Sequence, residues 1–254
     1  MHRRQLPGLL AVLLIALGSP AGAQEGSQPP KIRAVLWVGG FAHDFDAFAS
    51  VLSEFLPERI PVEVTVVRDG GFLDAASRET LDVILMDHCF ESTEGVLDEA
   101  QQAKLLELVR SGVGVVAIHA SYYSFVAWDA VREVYGAAFT VHGSSEVDIS
   151  VRIVDDAHPI TQGLAPTFTV RSELYQSTPL AEDCHLLAVA KEAGSDAEWP
   201  SAWTHEYGEG RVVTILPAHW PEAYQVEEFQ KLIANGTLWA ARRLDGPPTE
   251  NGAR

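Results

Sequence analysis

Three histidines stand where apolar runs of this chain give way to polar residues. They are His43 in Gly39-Gly40-Phe41-Ala42-His43-Asp44, His88 in Asp87-His88-Cys89, and His119 in His119-Ala120-Ser121. Imidazole titrates near neutrality and ligates divalent metals when neutral, so a group of histidines suits proton transfer or metal binding. One histidine at a strand end is commonly a satisfied structural residue; three at one edge point to a crevice. Other chemistries find less support. Gly39-Gly40 lacks the spacing of a phosphate loop or a dinucleotide fingerprint and suits a bare tight turn. Asp44 reads first as a helix N-cap. Ser121 is a weak nucleophile candidate, and the adjacency of His88 and Cys89 in sequence fixes no geometry.

These residues need elements to hold them, and the hydropathy alternates accordingly. Ile32 to Val38 is a near-continuous apolar run ended by two glycines, as a strand buried on both faces should be. Phe45, Phe48, Ala49, Leu52, Phe55 and Leu56 recur at helical spacing, with Pro57 expected to stop that helix. Strands are expected at Val62 to Val67, Asp82 to Asp87 and Val113 to Ile118, and an amphipathic helix at Leu97 to Val109. Strands alternating with helices predict a parallel sheet covered on both faces, with its ligand crevice beyond the carboxyl ends of the strands. The second half is richer in β pattern: Val147 to Val154, Leu186 to Ala190, and a hairpin over Ser201 to Leu216 turning at Tyr207-Gly208-Glu209-Gly210. Phe229 to Trp239 reads as a closing helix. The expected fold is α/β, flavodoxin-like, a parallel sheet with helices on both faces and a β-rich insertion.

Composition narrows the function classes. The chain has 254 residues, 47% hydrophobic and 21% charged, which excludes a disordered or collagen-like protein. Its net charge of −17 supplies no basic footprint for nucleic acid and does not favour anionic membranes. Residues 1–23 have the layout of a secretory signal: a positive Met1-His2-Arg3-Arg4, an apolar Leu6 to Leu17, and Ala21-Gly22-Ala23. Cleavage is expected after Ala23, giving a secreted or periplasmic protein with a flexible leader at 24–30, one domain at 31–243 and a disordered tail at 244–254. Cys89 and Cys184 could form one disulfide or remain free thiols.

From about residue 31 to 243 the chain resembles the ThuA-like family, named for trehalose utilisation, within the class I glutamine amidotransferase-like superfamily. The matching pieces are Gly39-Gly40-x-x-His43-Asp44, Ile118-His119-Ala120, Gly136-x-x-Phe139-x-x-His142 and His158-Pro159-Ile160-Thr161-x-Gly163-Leu164. Glu173-Leu174-Tyr175, Pro200-x-x-Trp203, Tyr207-Gly208-x-Gly210-Arg211 and His219 follow. Their order and coverage carry the resemblance. Ser172 stands where an aspartate commonly precedes Glu-Leu-Tyr, and Ala218 where a glycine commonly precedes the last histidine. The resemblance implies an amidotransferase-like fold without its nucleophile: the strand end at His119 has neither the cysteine nor the flanking glycines of the strained turn. It also implies a link to carbohydrate utilisation, with a keto-sugar made by a partner sugar dehydrogenase as one candidate substrate.

The combined reading is a crevice in which His43, His119, His142, Glu173 and His219 do acid–base work on a sugar or sugar derivative. Gly40, Asp44, His88, Tyr122 and Tyr175 are expected to contact the substrate. A divalent metal such as zinc, on His43, His119 and His142, is the cofactor these residue types allow. The alternatives are a non-catalytic sugar-binding module and an amidotransferase-like hydrolase. His185 and His205, in or beside strands without a motif, read as structural.

Overall fold

Residues Ile32–Gly40 form β1, the strand from which the site loop departs, in a computed structural model that describes residues 30–144 and 147–244. The signal-like segment 1–23, the leader up to residue 29 and the tail from 245 lie outside the described residues. No helix among the described residues is long and apolar enough to cross a membrane.

Asp44 opens α1 (Phe45–Arg59) by accepting a hydrogen bond from the Ala47 N–H at 3.0 Å. The six apolar residues picked out by periodicity are all buried on this helix. Pro57 does not stop it. Only the last turn loses a ladder bond there, and Ile60 N–H closes the end on Leu56 O at 2.9 Å with both side chains buried. The chain continues through β2 (Val62–Val67), β3 (Val83–Cys89), α2 (Glu99–Arg110) and β4 (Gly114–Ile118). Asp98 and Gln101 cap α2 reciprocally, each side chain satisfying the other's backbone N–H.

The second half contributes α3 (Asp129–Tyr135), β5 (Phe139–His142), β6 (Val147–Ile153), β7 (Thr167–Ser172) and β8 (Tyr175–Ser177). Then follow β9 (His185–Glu192), β10 (Trp199–Tyr207), β11 (Gly210–Ile215) and α4 (Glu227–Ala240). Nine strands form one sheet in the order β2-β1-β3-β4-β11-β10-β9-β6-β7. The first five in that order are parallel and the rest antiparallel. The β-rich region is therefore a continuation of the same sheet, because the β10–β11 hairpin inserts β11 beside β4. Among the described residues, only β5 and β8 pair apart from it, as a two-stranded ribbon. The core splits by sheet face: α1 and α4 cover one side, α2 and α3 the other. The fold is α/β with helices on both faces.

Candidate functional site

The loop after β1 can leave the sheet only because residue 40 is glycine. Its φ is +103°, and a Cβ there would lie 1.9 Å from the Cys89 carbonyl oxygen. Phe41 N–H donates to that same oxygen at 3.1 Å, which aims the loop across the sheet edge. Gly40 thus acts by making room for the backbone. His43 follows, with Nδ1 3.2 Å from the Phe41 carbonyl.

At the end of β4 the fully buried His119 has φ +44°, and its Nδ1 lies 2.6 Å from the Leu216 carbonyl. The turn is strained although no glycine flanks it: its neighbours are Ile118 and Ala120. Histidine is among the residues that tolerate the left-handed region, and burial plus the Leu216 bond hold it there. The strand-end elbow presents an imidazole instead of a thiol.

Glu173 links β7 to β8, and His219 follows β11. Ser172 Oγ accepts the His219 N–H at 3.1 Å, so the serine at the departing position anchors this histidine's main chain. Glu173 Oε2 lies 3.6 Å from His119 Nε2 and 3.2 Å from His219 Nδ1. Ring centroids of His43 lie 5.1 Å from His119 and 4.6 Å from His219. One donor atom from each of His43, His119, Glu173 and His219 lies within 4.8 Å of all the others.

A carbonyl can only accept, so the Nδ1 atoms of His43 and His119 carry their protons and each Nε2 keeps a lone pair. Those two Nε2 atoms and His219 Nδ1 are buried and make no hydrogen bond among the described residues. Burial, and then His119, lowers His43 to about 3; burial also lowers His119. Burial pushes the Glu173 carboxyl up, but His119 and His219 beside it reverse this and hold it below the usual carboxylate range. The lowered imidazoles of His43 and His119, the His219 ring and the Glu173 carboxylate make a donor set that fits a divalent transition ion.

The set differs from the metal ligands expected from sequence. His142, on β5, is half-exposed; its Nδ1 is 2.8 Å from the Gly143 carbonyl and 3.3 Å from Glu173 Oε1. It meets the carboxylate's other oxygen, because β5 pairs with β8 at His142 and Tyr175. Glu173 and His219 take its place in the converging group.

The expected substrate contacts divide. Asp44 caps α1 and also lines, with Ala42, His43, His219, Trp220 and Pro221, a cleft of about 500 Å³. Tyr175 is buried with its ring 4.6 Å from that of His119. His88 and Tyr122 lie elsewhere. The fully buried His88 points to the opposite face, its ring 4.4 Å from Trp37 and its Nδ1 2.9 Å from Ser124 Oγ. Tyr122 packs in the core against Trp203 and Tyr135. Successive strand residues alternate faces, so a histidine one position away along a strand points away from the crevice. Trp220 as a cleft wall and Ser172 as an anchor are roles that sequence reasoning alone does not assign; the His219-Trp220-Pro221 run after an apolar strand is the one local signal for the first.

No cysteine is poised for nucleophilic attack. Cys89 and Cys184 are both free, and burial, with Glu173 adding to it, pushes the Cys89 thiol up to about 12.

Comparison with known proteins agrees with this fold. No curated sequence matches the chain. A ThuA-like protein from Parabacteroides merdae superimposes with TM-score 0.71 at 20% identity, over 87% of this chain and 94% of that one. A ThuA-like protein from Bacteroides uniformis gives 0.68 at 18% identity, over 88% and 95%. A GMP synthase component from Thermoplasma acidophilum gives 0.54 at 15% identity, over 85% and 96%. At these identities the likeness is one of fold. The ThuA family model, described as trehalose utilisation, matches residues 33–240, nearly the whole folded region. The chain belongs to the ThuA family, and through it to proteins of carbohydrate utilisation.

Proposed function

We propose that this protein is an exported enzyme that transforms a sugar or keto-sugar derivative at the His43, His119, Glu173 and His219 centre, with a divalent ion such as zinc held there. The observation that carries the reading is the convergence of four donor groups, three imidazoles and the Glu173 carboxylate, at the wall of an open cleft, with the Nε2 lone pairs of His43 and His119 buried and accepting no hydrogen bond among the described residues. Leaving such lone pairs buried and unused is costly, which favours an occupant for them. When bound, a divalent ion would polarise a carbonyl or hydroxyl oxygen of the sugar. Asp44 and Trp220 on the cleft wall would orient the substrate, and His142, the most exposed imidazole of the group, would exchange protons with it. The leader-like residues support export, and a keto-sugar substrate would come from a partner sugar dehydrogenase.

The test is to incubate the purified protein with disaccharides and their 3-keto derivatives, read products by mass spectrometry, and assay metal content in parallel. The same assays on His43→Ala, His119→Ala and Glu173→Gln should show loss of both metal and turnover. Loss of turnover with no metal in the wild type would favour acid–base catalysis by the side chains alone. Ligand-induced thermal stabilisation without turnover would favour a binding module. Unchanged metal content, binding and turnover in all three variants would refute the site. N-terminal sequencing of the exported protein should begin at Gln24.

A further inference from the structure

A separate group of side chains lies where the loop before β9 meets β10 and the end of α3. The antiparallel register pairs His185 with Thr204, which brings Cys184 beside His205 on the neighbouring strand. His205 Nδ1 donates to the Val134 carbonyl at 3.0 Å, so its Nε2 keeps the lone pair. That Nε2 stands 3.4 Å from Asp183 Oδ1. The Cys184 thiol is half-buried and donates weakly to the Gly136 carbonyl, 3.6 Å away. One donor atom from each of Asp183, Cys184 and His205 lies within 4.8 Å of the others.

The arrangement differs from a nucleophilic triad in one respect that decides its chemistry. In a triad the two ring nitrogens face different partners, one the nucleophile and the other the carboxylate. Here one nitrogen is fixed on a backbone carbonyl, and the other shares a single locus with the thiol and the carboxylate. A backbone carbonyl on the distal nitrogen is also how metal-bound imidazoles are commonly oriented. Glycine at 136 keeps the locus compact: a Cβ there would lie 2.3 Å from Cys184 Sγ and 3.0 Å from His205 Cγ.

We propose that Asp183, Cys184 and His205 form a metal site for a zinc-class divalent ion, separate from the His43 centre and sharing no residue with it. Thiolate, imidazole and carboxylate together suit zinc and exclude the all-oxygen preferences of magnesium and calcium. Binding exchanges the Cys184 thiol proton, released to solvent, for a sulfur–metal bond. Three protein donors leave the fourth tetrahedral position to water. Occupied, the site would tie the β9 entry loop to β10.

The test is titration of the reduced, metal-free full chain with Co²⁺, read by the thiolate-to-cobalt charge-transfer band in the near ultraviolet, which only a cysteine ligand produces. The band should appear in the wild type and persist in His119→Ala, vanish in Cys184→Ser, and require at least about tenfold more metal in His205→Ala. Circular dichroism checks that each variant is folded. In the wild type alone, Zn²⁺ should protect Cys184 from a small alkylating reagent, with the protection reversed by a chelator. A wild type without the band, or a band retained in Cys184→Ser, would overturn the proposal. So would alkylation of Cys184 at the same rate with and without Zn²⁺.

Discussion

Asp87 is a buried carboxyl whose cost can be worked from the structure. It is fully enclosed at the end of β3; Tyr224 O–H donates to Oδ2 at 2.5 Å, and Oδ1 has no partner among the described residues. Burial raises its pKa from 3.8 to about 7, with the Tyr224 bond opposing the rise. The folded pKa lies above the unfolded one, so between these values the unfolded chain ionises while the native chain stays protonated. Stability contributed by the protonated group is complete below pH 3.8, declines across that window, and is lost as pH rises through about 7. At about 1.36 kcal/mol per pH unit, the full difference is about 4 kcal/mol. An asparagine in its place would preserve an acceptor for Tyr224 and cannot ionise. Asp87→Asn should therefore match the wild type near pH 4 and exceed it by ~2–4 kcal/mol at pH 8, the lower figure allowing for relaxation around the carboxylate. Urea unfolding of both proteins at the two pH values measures this directly. A variant less stable than wild type at pH 8, or a difference independent of pH, would refute the reasoning.

Substitutions at three further positions probe the framework of the centre. His119→Gly should be more stable than His119→Ala by ~0.5–1 kcal/mol in denaturant melts. Both lose the imidazole, but alanine at φ +44° keeps a left-handed strain of ~1–2 kcal/mol, which glycine's greater freedom in the unfolded chain offsets in part. Gly40→Ala should cost more than ~2 kcal/mol or prevent folding, read by thermal melting, since its methyl carbon has no room against the Cys89 carbonyl. Ser172→Ala should cost ~1 kcal/mol in stability and weaken metal retention by equilibrium dialysis, because it frees the His219 backbone N–H.

The parallel half of the fold was legible because its strands are unbroken apolar runs and its helices carry clear 3.6-residue periodicity. Short elements were not: β5 and β8 have four and three residues, too few to show alternation, and α3 has Trp128 at its N-cap position with no side-chain cap bond. The site was legible in part for a related reason. His43 and His119 follow strand ends and needed only the topology to bring them together. Distinguishing them from His88 required knowing which face each strand residue occupies, and in a strand buried on both faces apolarity carries no such parity. Exchanging His142 for Glu173 and His219 depended on the β5–β8 register, which no local pattern encodes.

The four donors of the centre come from four separate stretches of chain, spread from residue 43 to residue 219 and brought together only by the complete sheet. No fragment ending between those positions can contain the centre, and a partly folded chain presents at most some of it. Whatever binds there with all four donors recognises the native state alone. A ligand at a hundredfold excess over its dissociation constant would then stabilise the fold by about 2.7 kcal/mol. Supply of that ligand would set how long the protein survives proteolysis, so its steady-state abundance would report the ligand's concentration without any dedicated sensor.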